Sequence, residues 1–465
     1  MDLITNLIPA FGNLGFTLLA FIVALSVIVA IHEYGHYIVG RWSGIHADVF
    51  SIGFGKVLWS RTDKRGTVWQ IAALPFGGYV KFLGDANAAS VGGEAEIAEP
   101  DAEKLAELSD ATREYLAGLG ERNTMLGAPL WARAATVAAG PIFNFILSAF
   151  VFAGVLIFQG QAITPLTVSE LPSFPTEIPQ ELQSGDQIIS VNGAALNYPD
   201  GFRAAVRDIP SQPSIEYVVE RDGERMTVLG PQPQPALVRS ISPRSAADDA
   251  GLKINDVIVS MNDIPVYQFT DMVETVETVG AQPIELEVWR DGEVLEMIMT
   301  PRLSAQPQED GSLRDELKLG IGNGGLFFDP ETESTGPLEA LRIGTTQVWF
   351  TIKTSLSALG SMIAGELSTC NLNGPVGIAE TSGSMARQGG QSFILLIAGL
   401  STAVGLMNLF PIPVLDGGHL VFHAYEAVTG KMPSDGALRI LMAMGLGLIG
   451  MMMLFAIGND LLFCP

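Results

Sequence analysis

Charged residues are scarce in this sequence. Asp, Glu, Lys and Arg make up 16% of its 465 residues and hydrophobic residues 48%, whereas about a quarter of a soluble domain is charged. This balance excludes an intrinsically disordered chain and predicts that part of the protein lies in lipid. Basic residues number only 26 against 50 acidic ones. Because that excess of negative charge would repel phosphate, we expect no nucleic acid partner.

Cysteine is almost absent, with two residues in the whole chain. This count excludes a disulfide-rich scaffold and any metal site made of four thiolates. The two residues are Cys370 and Cys464. The sequence does not decide whether they form a disulfide or remain buried free thiols.

Four windows of the sequence contain no charged residue and are long enough to cross a bilayer, which requires about 20 residues in a helix. They lie at 3–31, 134–160, 388–415 and 440–459. We therefore predict four transmembrane helices. A further apolar segment, 341–363, is interrupted by Arg342 and Lys353, which favours an amphipathic or interfacial helix.

The basic residues predict how the spans are oriented. None precedes the first window, whereas five lie within residues 41–65 directly after it. The positive-inside rule therefore places the N-terminus outside, and four spans return the C-terminus to the outside. Lys431 and Arg439, between the third and fourth windows, then fall inside as the rule requires.

The external segment between the second and third spans contains a weak internal repeat. Residues 185–193 match residues 255–263, and Arg-Asp-Gly-Glu occurs at 221–224 and again at 290–293. Each copy has a short apolar strand and an Asp-Gly pair typical of a hairpin turn. Two copies of one small β domain are therefore predicted. The pattern resembles PDZ domains, which add an extended peptide to a sheet edge; the alternative is two spacer domains that bind nothing.

On the inner side, residues 47–82 carry strand-forming residues and a Gly77-Gly78 bend, which predicts a β-hairpin or small sheet. The residues that follow, 85–121, are acidic and rich in alanine. We assign no role to this insertion.

His32-Glu33-Tyr34-Gly35-His36 is a His-Glu-x-x-His motif at the inner end of the first span. Residues four apart on a helix differ by only about 40° in azimuth, so both imidazoles can bind one ion while the glutamate lies beside it. In zinc sites of this kind the ion acidifies water and the adjacent carboxylate takes the proton. A chance match occurs in about one chain in a hundred, but such polar residues are costly beside lipid unless they serve a site.

Asp416 is predicted to be the third metal ligand. A catalytic zinc site needs three protein ligands and one open position. The first and third spans both run from outside to inside, so His32, His36 and Asp416 reach the same depth. His419 and His423 follow one or two turns later. We expect them to be solvated or interfacial, and the alternative is that they also bind the metal.

In combination, these motifs resemble the bacterial site-2 proteases of the regulator of sigma E protease type. The resemblance rests on His-Glu-x-x-His, on the paired PDZ-like domains, on Gly140-Pro141 with Asn144, and on Asn-x-x-Pro-x-Pro-x-Leu-Asp-Gly from Asn408 to Gly417. It covers nearly the whole chain apart from the acidic insertion. The two prolines of the last motif also predict a break in the third helix.

The resemblance implies an intramembrane zinc metalloprotease of the bacterial inner membrane with periplasmic termini. Its fold class would be a polytopic α-helical membrane protein with four transmembrane helices, a membrane-associated β-hairpin and two periplasmic PDZ-like β domains. The hairpin would pair with an unwound substrate strand, and the PDZ pair would filter substrates by size. The site would consist of the Zn²⁺ ligands His32, His36 and Asp416, the catalytic Glu33, and the substrate-binding residues Asn408, Gly53 and Gly55.

The predicted domains follow the chain in eight segments. They are the first transmembrane helix at 1–40, the cytoplasmic-side hairpin and insertion at 41–130, the second helix at 131–162, PDZ-like domains at 163–236 and 237–305, a periplasmic region with an amphipathic helix at 306–387, the third transmembrane segment at 388–418, and a loop with the fourth helix at 419–465.

The same resemblance implies the substrate. The family cuts membrane-spanning anti-sigma factors after a first protease has trimmed them, and it removes remnant signal peptides. We expect a site-2 cleavage of an anti-sigma factor in envelope stress signalling. The alternatives are a remnant signal-peptide peptidase, a non-catalytic PDZ membrane scaffold, and a metal transporter, although a transporter would repeat His and Asp along a pathway.

Overall fold

The computed structural model describes residues 2–84, 109–196, 202, 206, 209–307, 313–323 and 325–463. Most of the acidic insertion predicted at 85–121 therefore lies outside the described residues. The chain divides into two compact units. The first comprises Met1–Ala153, Leu341–Leu356 and Leu372–Pro465, and the second comprises Gly154–Ala340 and Ser357–Asn371.

The helices are distributed along the whole chain. In chain order they are α1 (Asp2–Trp42), α2 (Asp110–Ala117), α3 (Leu130–Gln159), α4 (Ala246–Asp249), α5 (Phe269–Val279), α6 (Pro337–Ala364), α7 (Pro375–Arg387), α8 (Gly390–Asn408), α9 (Asp416–Thr429) and α10 (Asp435–Gly458). Short turns of 3₁₀-helix lie at Glu121–Asn123 and Thr369–Asn371, and a π-helical turn lies at Asn459–Phe463.

Within the part of the chain that the structure describes, four helical segments are long and apolar enough to cross a membrane. They are Leu14–Trp42, Leu130–Gln159, Gly390–Asn408 and Asp435–Leu462. The four predicted spans are thus confirmed as helices of the required length and composition. The 341–363 segment lies within α6, which does not meet the same criterion.

The third span ends where its sequence stops supporting a helix. α8 ends at Asn408, an irregular segment with Pro411 and Pro413 follows, and α9 begins at Asp416. Proline lacks the N–H that a helix interior requires, so the break occurs where the two prolines predict it. Gly417 and Gly418 pack so tightly on the preceding loop that an added Cβ would lie 2.3 Å and 2.2 Å from backbone oxygens. The loop and the start of α9 therefore form one compact element.

A pair of long antiparallel strands, β1 (Ala47–Thr62) and β2 (Val68–Phe82), follows α1. The strands bend, so that Val49 lies opposite both Lys81 and Val68. The hairpin packs on α1 through Tyr37, whose ring lies 5.0 Å from that of Trp69. Large apolar side chains remain exposed on it: Phe54, Val57, Leu58, Trp59, Ile71 and Leu74.

The second unit is built mainly from short strands. They are β3 (Gln161–Ala162), β4 (Val168–Glu170), β5 (Gln187–Val191), β6 (Ala194–Ala195), β7 (Ile215–Arg221), β8 (Glu224–Gly230), β9 (Ser240–Ile241), β10 (Val257–Met261), β11 (Ile264–Pro265), β12 (Ile284–Arg290), β13 (Glu293–Met299), β14 (Arg302–Pro307), β15 (Leu313–Lys318), β16 (Ile321–Gly322), β17 (Asp329–Pro330) and β18 (Thr332–Glu333).

The internal repeat corresponds to two four-stranded sheets of the same topology. The first has the order β6-β5-β7-β8 and the second the order β11-β10-β12-β13. Their hairpins turn at Asp222-Gly223 and Asp291-Gly292, where all four residues have positive φ, as a two-residue type I′ turn requires. Each sheet covers a buried apolar cluster, and the cluster of the first module also includes Val257 of β10.

The two modules are not consecutive along the chain, which differs from the predicted domain boundaries. β16 pairs with β9 of the second module, and β17 then returns to pair with β4 of the first. Leu326, Phe327 and Phe328 are buried in the core of the first module. The second module is therefore inserted into the first, whose last long strand ends at Gly230 and whose edge is completed by Asp329–Pro330.

Cys370 is disulfide-bonded. The alternative of a free thiol is thus wrong for this residue. Cys464, the other cysteine of the chain, lies outside the described residues.

The repeated residues of the two modules form the same ion pair. Arg221 binds Asp186 through Nε and Nη2 at 2.6 Å and 2.7 Å, and Arg290 binds Asp256 through the same atoms at 2.7 Å and 2.6 Å. The hydrogen bond with Asp186 raises the pKa of Arg221, and that with Asp256 raises the pKa of Arg290. Both aspartates are almost fully buried. The sequence repeat therefore preserves the two halves of a buried bidentate pair.

We predict that Arg221→Gln destabilises the first module by about 3 kcal/mol, because it leaves the buried Asp186 without its charged partner. Hydrogen exchange on the full-length protein should show faster exchange in β7 and β8. Arg225→Gln is the matched control: this arginine is 70% exposed and lies 3.7 Å from Glu220, so the change should cost less than about 1 kcal/mol. Equal protection of the β7 and β8 amides from hydrogen exchange in both variants would contradict the prediction.

Candidate metal centre

Two histidines of α1 face one another. His32 and His36 lie one helical turn apart, their ring centroids are separated by 4.8 Å, and their Nε2 atoms by 3.2 Å. The rings meet edge to face. This is the arrangement that the four-residue spacing predicts for a helix.

Asp416, the first residue of α9, completes the cluster. Its Oδ2 lies 3.2 Å from Nε2 of His32 and 3.5 Å from Nε2 of His36. In the described part of the chain, these three residues form the group of His, Cys, Asp or Glu side chains that could hold a metal ion. The structure thus brings the two predicted histidines together with the predicted aspartate, across almost 400 residues of sequence.

Helix α3 orients both imidazole rings. Nδ1 of His36 lies 2.8 Å from the carbonyl oxygen of Thr136; since a carbonyl only accepts, Nδ1 carries the proton and Nε2 keeps its lone pair. Nδ1 of His32 lies 3.2 Å from the side-chain amide of Asn144, whose Oδ1 is buried without a partner. In the amide orientation that places Oδ1 of Asn144 at this position, it would accept the Nδ1–H of His32 and leave the lone pair on Nε2.

Small residues allow α3 to approach the histidines. A Cβ added at Gly140 would lie 2.3 Å from Nε2 of His36 and 2.8 Å from Cε1 of His32. A Cβ added at Gly35 would lie 2.6 Å from the carbonyl oxygen of Ala139. The two helices are therefore in backbone contact beside the cluster, and glycine is required at both points.

The donor set fits a tetrahedral metal ion. Ligands about 2.0 to 2.2 Å from such an ion lie about 3.3 Å from one another, and the three ligand atoms here are 3.2, 3.2 and 3.5 Å apart. Oδ2 of Asp416 is buried and accepts no hydrogen bond. With both Nδ1 atoms protonated, the lone pairs of the two Nε2 atoms and of Oδ2 would point to one place, where they could bind a cation.

Glu33 lies next to this cluster and against the hairpin. The backbone N–H of Val80 in β2 is within hydrogen-bonding reach of its carboxylate. A Cβ added at Gly78 would lie 3.0 Å from Cγ of Glu33 and 2.7 Å from the carbonyl oxygen of Ser51. The β-strand backbone therefore passes directly beside the glutamate.

The predicted substrate-binding residues occupy different places. Asn408 is the half-buried last residue of α8. Gly53 and Gly55 lie in β1 with φ values of +92° and +85°. A Cβ at Gly53 would lie 2.9 Å from the carbonyl oxygens of Ala72 and Leu74, so this glycine permits the close crossing of the two strands.

The histidines after Asp416 differ from expectation in one respect. His423 is buried, its Nδ1 has no hydrogen-bond partner, and burial together with the charge of Arg133 lowers its pKa to about 4. It is therefore not solvated, whereas the expectation of an interfacial histidine stays a prediction. His419 is partly buried, and burial lowers its pKa as well.

Sequence reasoning did not find the groups that support the cluster. The carbonyl of Thr136 and the backbone of Gly78 and Val80 act through main-chain atoms, which carry no residue signature. Gly140 and Asn144 did leave a signal, because both stand in the motif of the second span. Their positions beside His36 and His32 follow only from the packing of α3 on α1.

Comparison with known proteins agrees with this geometry. The model of peptidase family M50 matches residues 20–453. A protein of Rhizobium meliloti, provisionally named as a zinc metalloprotease, is 32% identical over 449 residues, which cover 97% of each chain. The regulator of sigma-E protease of Escherichia coli is 31% identical over 481 residues, covering 95% of this chain and 98% of its own.

The family model spans nearly the whole chain, and the relatives are matched over nearly their full length. Both findings support the same family assignment. They agree with a cluster of two histidines and an aspartate, and with four helices that can cross a membrane. The chain belongs to peptidase family M50.

Proposed function

We propose that this protein is a zinc-dependent intramembrane endopeptidase that cleaves single-span membrane proteins. The observation that carries the proposal is the convergence of His32, His36 and Asp416 beside the carboxylate of Glu33, next to helices that can cross a bilayer. Metal transport has less support, because no second group of this kind is present in the described residues.

His32, His36 and Asp416 would hold the zinc ion through two Nε2 atoms and one carboxylate oxygen. Bound in such a site with one open position, zinc acts as a Lewis acid and makes water nucleophilic near neutral pH. Thr136 and Asn144 keep both Nε2 lone pairs aimed at the ion, which is the usual task of groups behind metal-bound histidines.

Glu33 would act as the general base and then as the general acid. Its carboxylate would take a proton from water as the peptide carbonyl is attacked, and it would return that proton to the leaving amine. The N–H of Val80 orients the carboxylate. We propose that the amide of Asn408 holds the substrate near the metal.

A helix in lipid hides its peptide bonds, because every amide is paired within the helix. The β1–β2 hairpin offers a way to hold an unwound segment: a free strand edge can take up the backbone hydrogen bonds that the substrate loses. Its exposed apolar side chains, among them Leu58 and Trp59, support association of the hairpin with the membrane. Gly53 and Gly55 would shape the edge that contacts the substrate.

The proposed setting is the bacterial inner membrane with both termini periplasmic, as the distribution of basic residues favours. The two β modules would then lie outside as PDZ-like filters for substrate size. Relatives named as regulators of sigma-E protease support an anti-sigma factor as substrate, cleaved in an envelope stress response.

Glu33→Gln should abolish proteolysis without removing zinc. The glutamine cannot accept a proton, and loss of a general base lowers rates by about 10² to 10⁴-fold, whereas the three ligands are unchanged. Cleavage of a membrane reporter tests activity, and elemental analysis of the purified protein tests zinc. Membrane peptides that accumulate in cells with this variant would identify the substrate. Retained turnover would show that another group is the base.

Asp416→Asn should lower zinc content. The change keeps the shape of the side chain but replaces an anionic oxygen with a neutral amide, which zinc binds poorly. Zinc stoichiometry after dialysis against a weak chelator measures the effect. A variant that keeps one zinc per chain would mean that the third ligand lies elsewhere.

Gly140→Ala should weaken zinc binding by about tenfold or more, because the new methyl group would collide with His36 at 2.3 Å and displace the ring. Gly154→Ala is the matched control in the same helix, since a Cβ there meets no atom within 4 Å. Competition with a chromophoric chelator compares the two proteins. Identical zinc affinities would show that α3 is not in contact with the bound site.

A further inference from the structure

A charged pair connects α3 with α9. Nη2 of Arg133 donates to Oε1 of Glu426 at 2.7 Å, and Nη1 donates to Oε2 at 3.0 Å. Nε of the same arginine donates to the carbonyl oxygen of Ala128 at 3.1 Å. The guanidinium therefore binds one carboxylate in a bidentate way while a third bond fixes its plane relative to α3.

Both members of the pair are withdrawn from solvent. The side chain of Arg133 is 8% exposed and that of Glu426 is 18% exposed. Removing two charges from water costs about as much as their attraction returns, so such a pair adds little net stability compared with apolar residues of similar size. What it provides is a directional constraint, because two parallel hydrogen bonds form at only one relative placement of the two helices.

The metal centre requires a fixed relative position of α3 and α9. α3 carries Arg133 three residues before Thr136, whose carbonyl oxygen binds His36. α9 carries Asp416 at its first residue and Glu426 ten residues later, about 15 Å along the axis. A tilt of about 10° over that length moves one end relative to the other by about 2.6 Å, whereas a functional site tolerates about 0.5 Å.

Gly417 and Gly418 hold the near end of α9 against the loop that precedes it. The pair with Arg133 ties α9 instead to the helix that orients the histidines. It joins residues 293 positions apart in the sequence.

We propose that Arg133 and Glu426 form a clamp, a pair of positioning residues that hold the carboxylate of Asp416 at bonding distance from the metal shared with His32 and His36. The inference rests on the proposed function, because it concerns the same metal. Neither clamp residue belongs to the ligand group of His32, His36 and Asp416. The clamp fixes the position of α9. It therefore affects the metal affinity and the rate of the chemical step, and it has little effect on substrate binding.

The test uses the full-length protein purified in detergent. The metal is removed with a chelator, Zn²⁺ is titrated against a chromophoric competitor, and kcat and KM are measured for a membrane reporter. Glu426→Gln should raise the Kd for zinc about tenfold or more, as loss of supporting groups does in other metal sites. We expect kcat to fall by about tenfold or more and KM to change by less than about twofold, and Co²⁺ substitution should show an altered ligand-field spectrum.

Arg439→Met is the control, because it removes an exposed arginine from α10 on the same predicted side of the membrane; its zinc affinity and kcat should equal those of the wild type. If Glu426→Gln fails to fold, the double variant Arg133→Met with Glu426→Leu leaves no unpaired charge and should fold. The clamp predicts weak zinc binding and low kcat in that protein too.

Either clamp variant that folds with wild-type zinc affinity and wild-type kcat overturns the clamp and leaves the proposed function intact. A wild-type protein that binds no zinc in the same titration overturns both. The two failures are thus distinguishable in one experiment.

Discussion

A buried carboxylate oxygen that faces two imidazole nitrogens is the constraint on which the arrangement of the first unit depends. Oδ2 of Asp416 and the two Nε2 atoms are separated by 3.2 to 3.5 Å. Lone pairs at these distances repel one another in a medium of low dielectric constant. A cation at the centre of the cluster would remove that repulsion, and the surrounding helices hold the three groups in place.

Helix α3 supplies much of that support. Along one face it presents the carbonyl of Thr136 to His36, the bare backbone of Gly140 to both rings, and the amide of Asn144 to His32. Hydroxyl groups attach the same helix to α8: Ser148 donates to the carbonyl of Ala398, and Ser401 donates to the carbonyl of Asn144. In a membrane, close packing of small residues and hydrogen bonds of this kind replace the hydrophobic effect as the source of helix association.

The sequence predicted much of the site and of the helical architecture, but less of the β modules. His32 and His36 lie on one helix, so their spacing is sufficient to predict that they meet. Asp416 required an argument about topology, in which the first and third spans run in the same direction; the structure brings this residue to the two histidines. The internal repeat predicted two β modules with Asp-Gly turns, and both turns have positive φ as expected. The insertion of one module into the other was missed, since β16 and β17 are two-residue strands without a recognisable pattern.

What the sequence by itself determined is what depends on local chemistry: four apolar helices, the break after Asn408, the paired hairpins, and two histidines separated by one turn. Each follows from the hydrophobicity, backbone preference or periodicity of neighbouring residues. The tertiary structure alone decided which groups of α3 touch the histidines, where the backbone of β2 passes Glu33, and that Arg133 reaches Glu426 across 293 residues. These contacts depend on how closely and at what angle the helices pack, and that is a property of the whole unit rather than of any one segment.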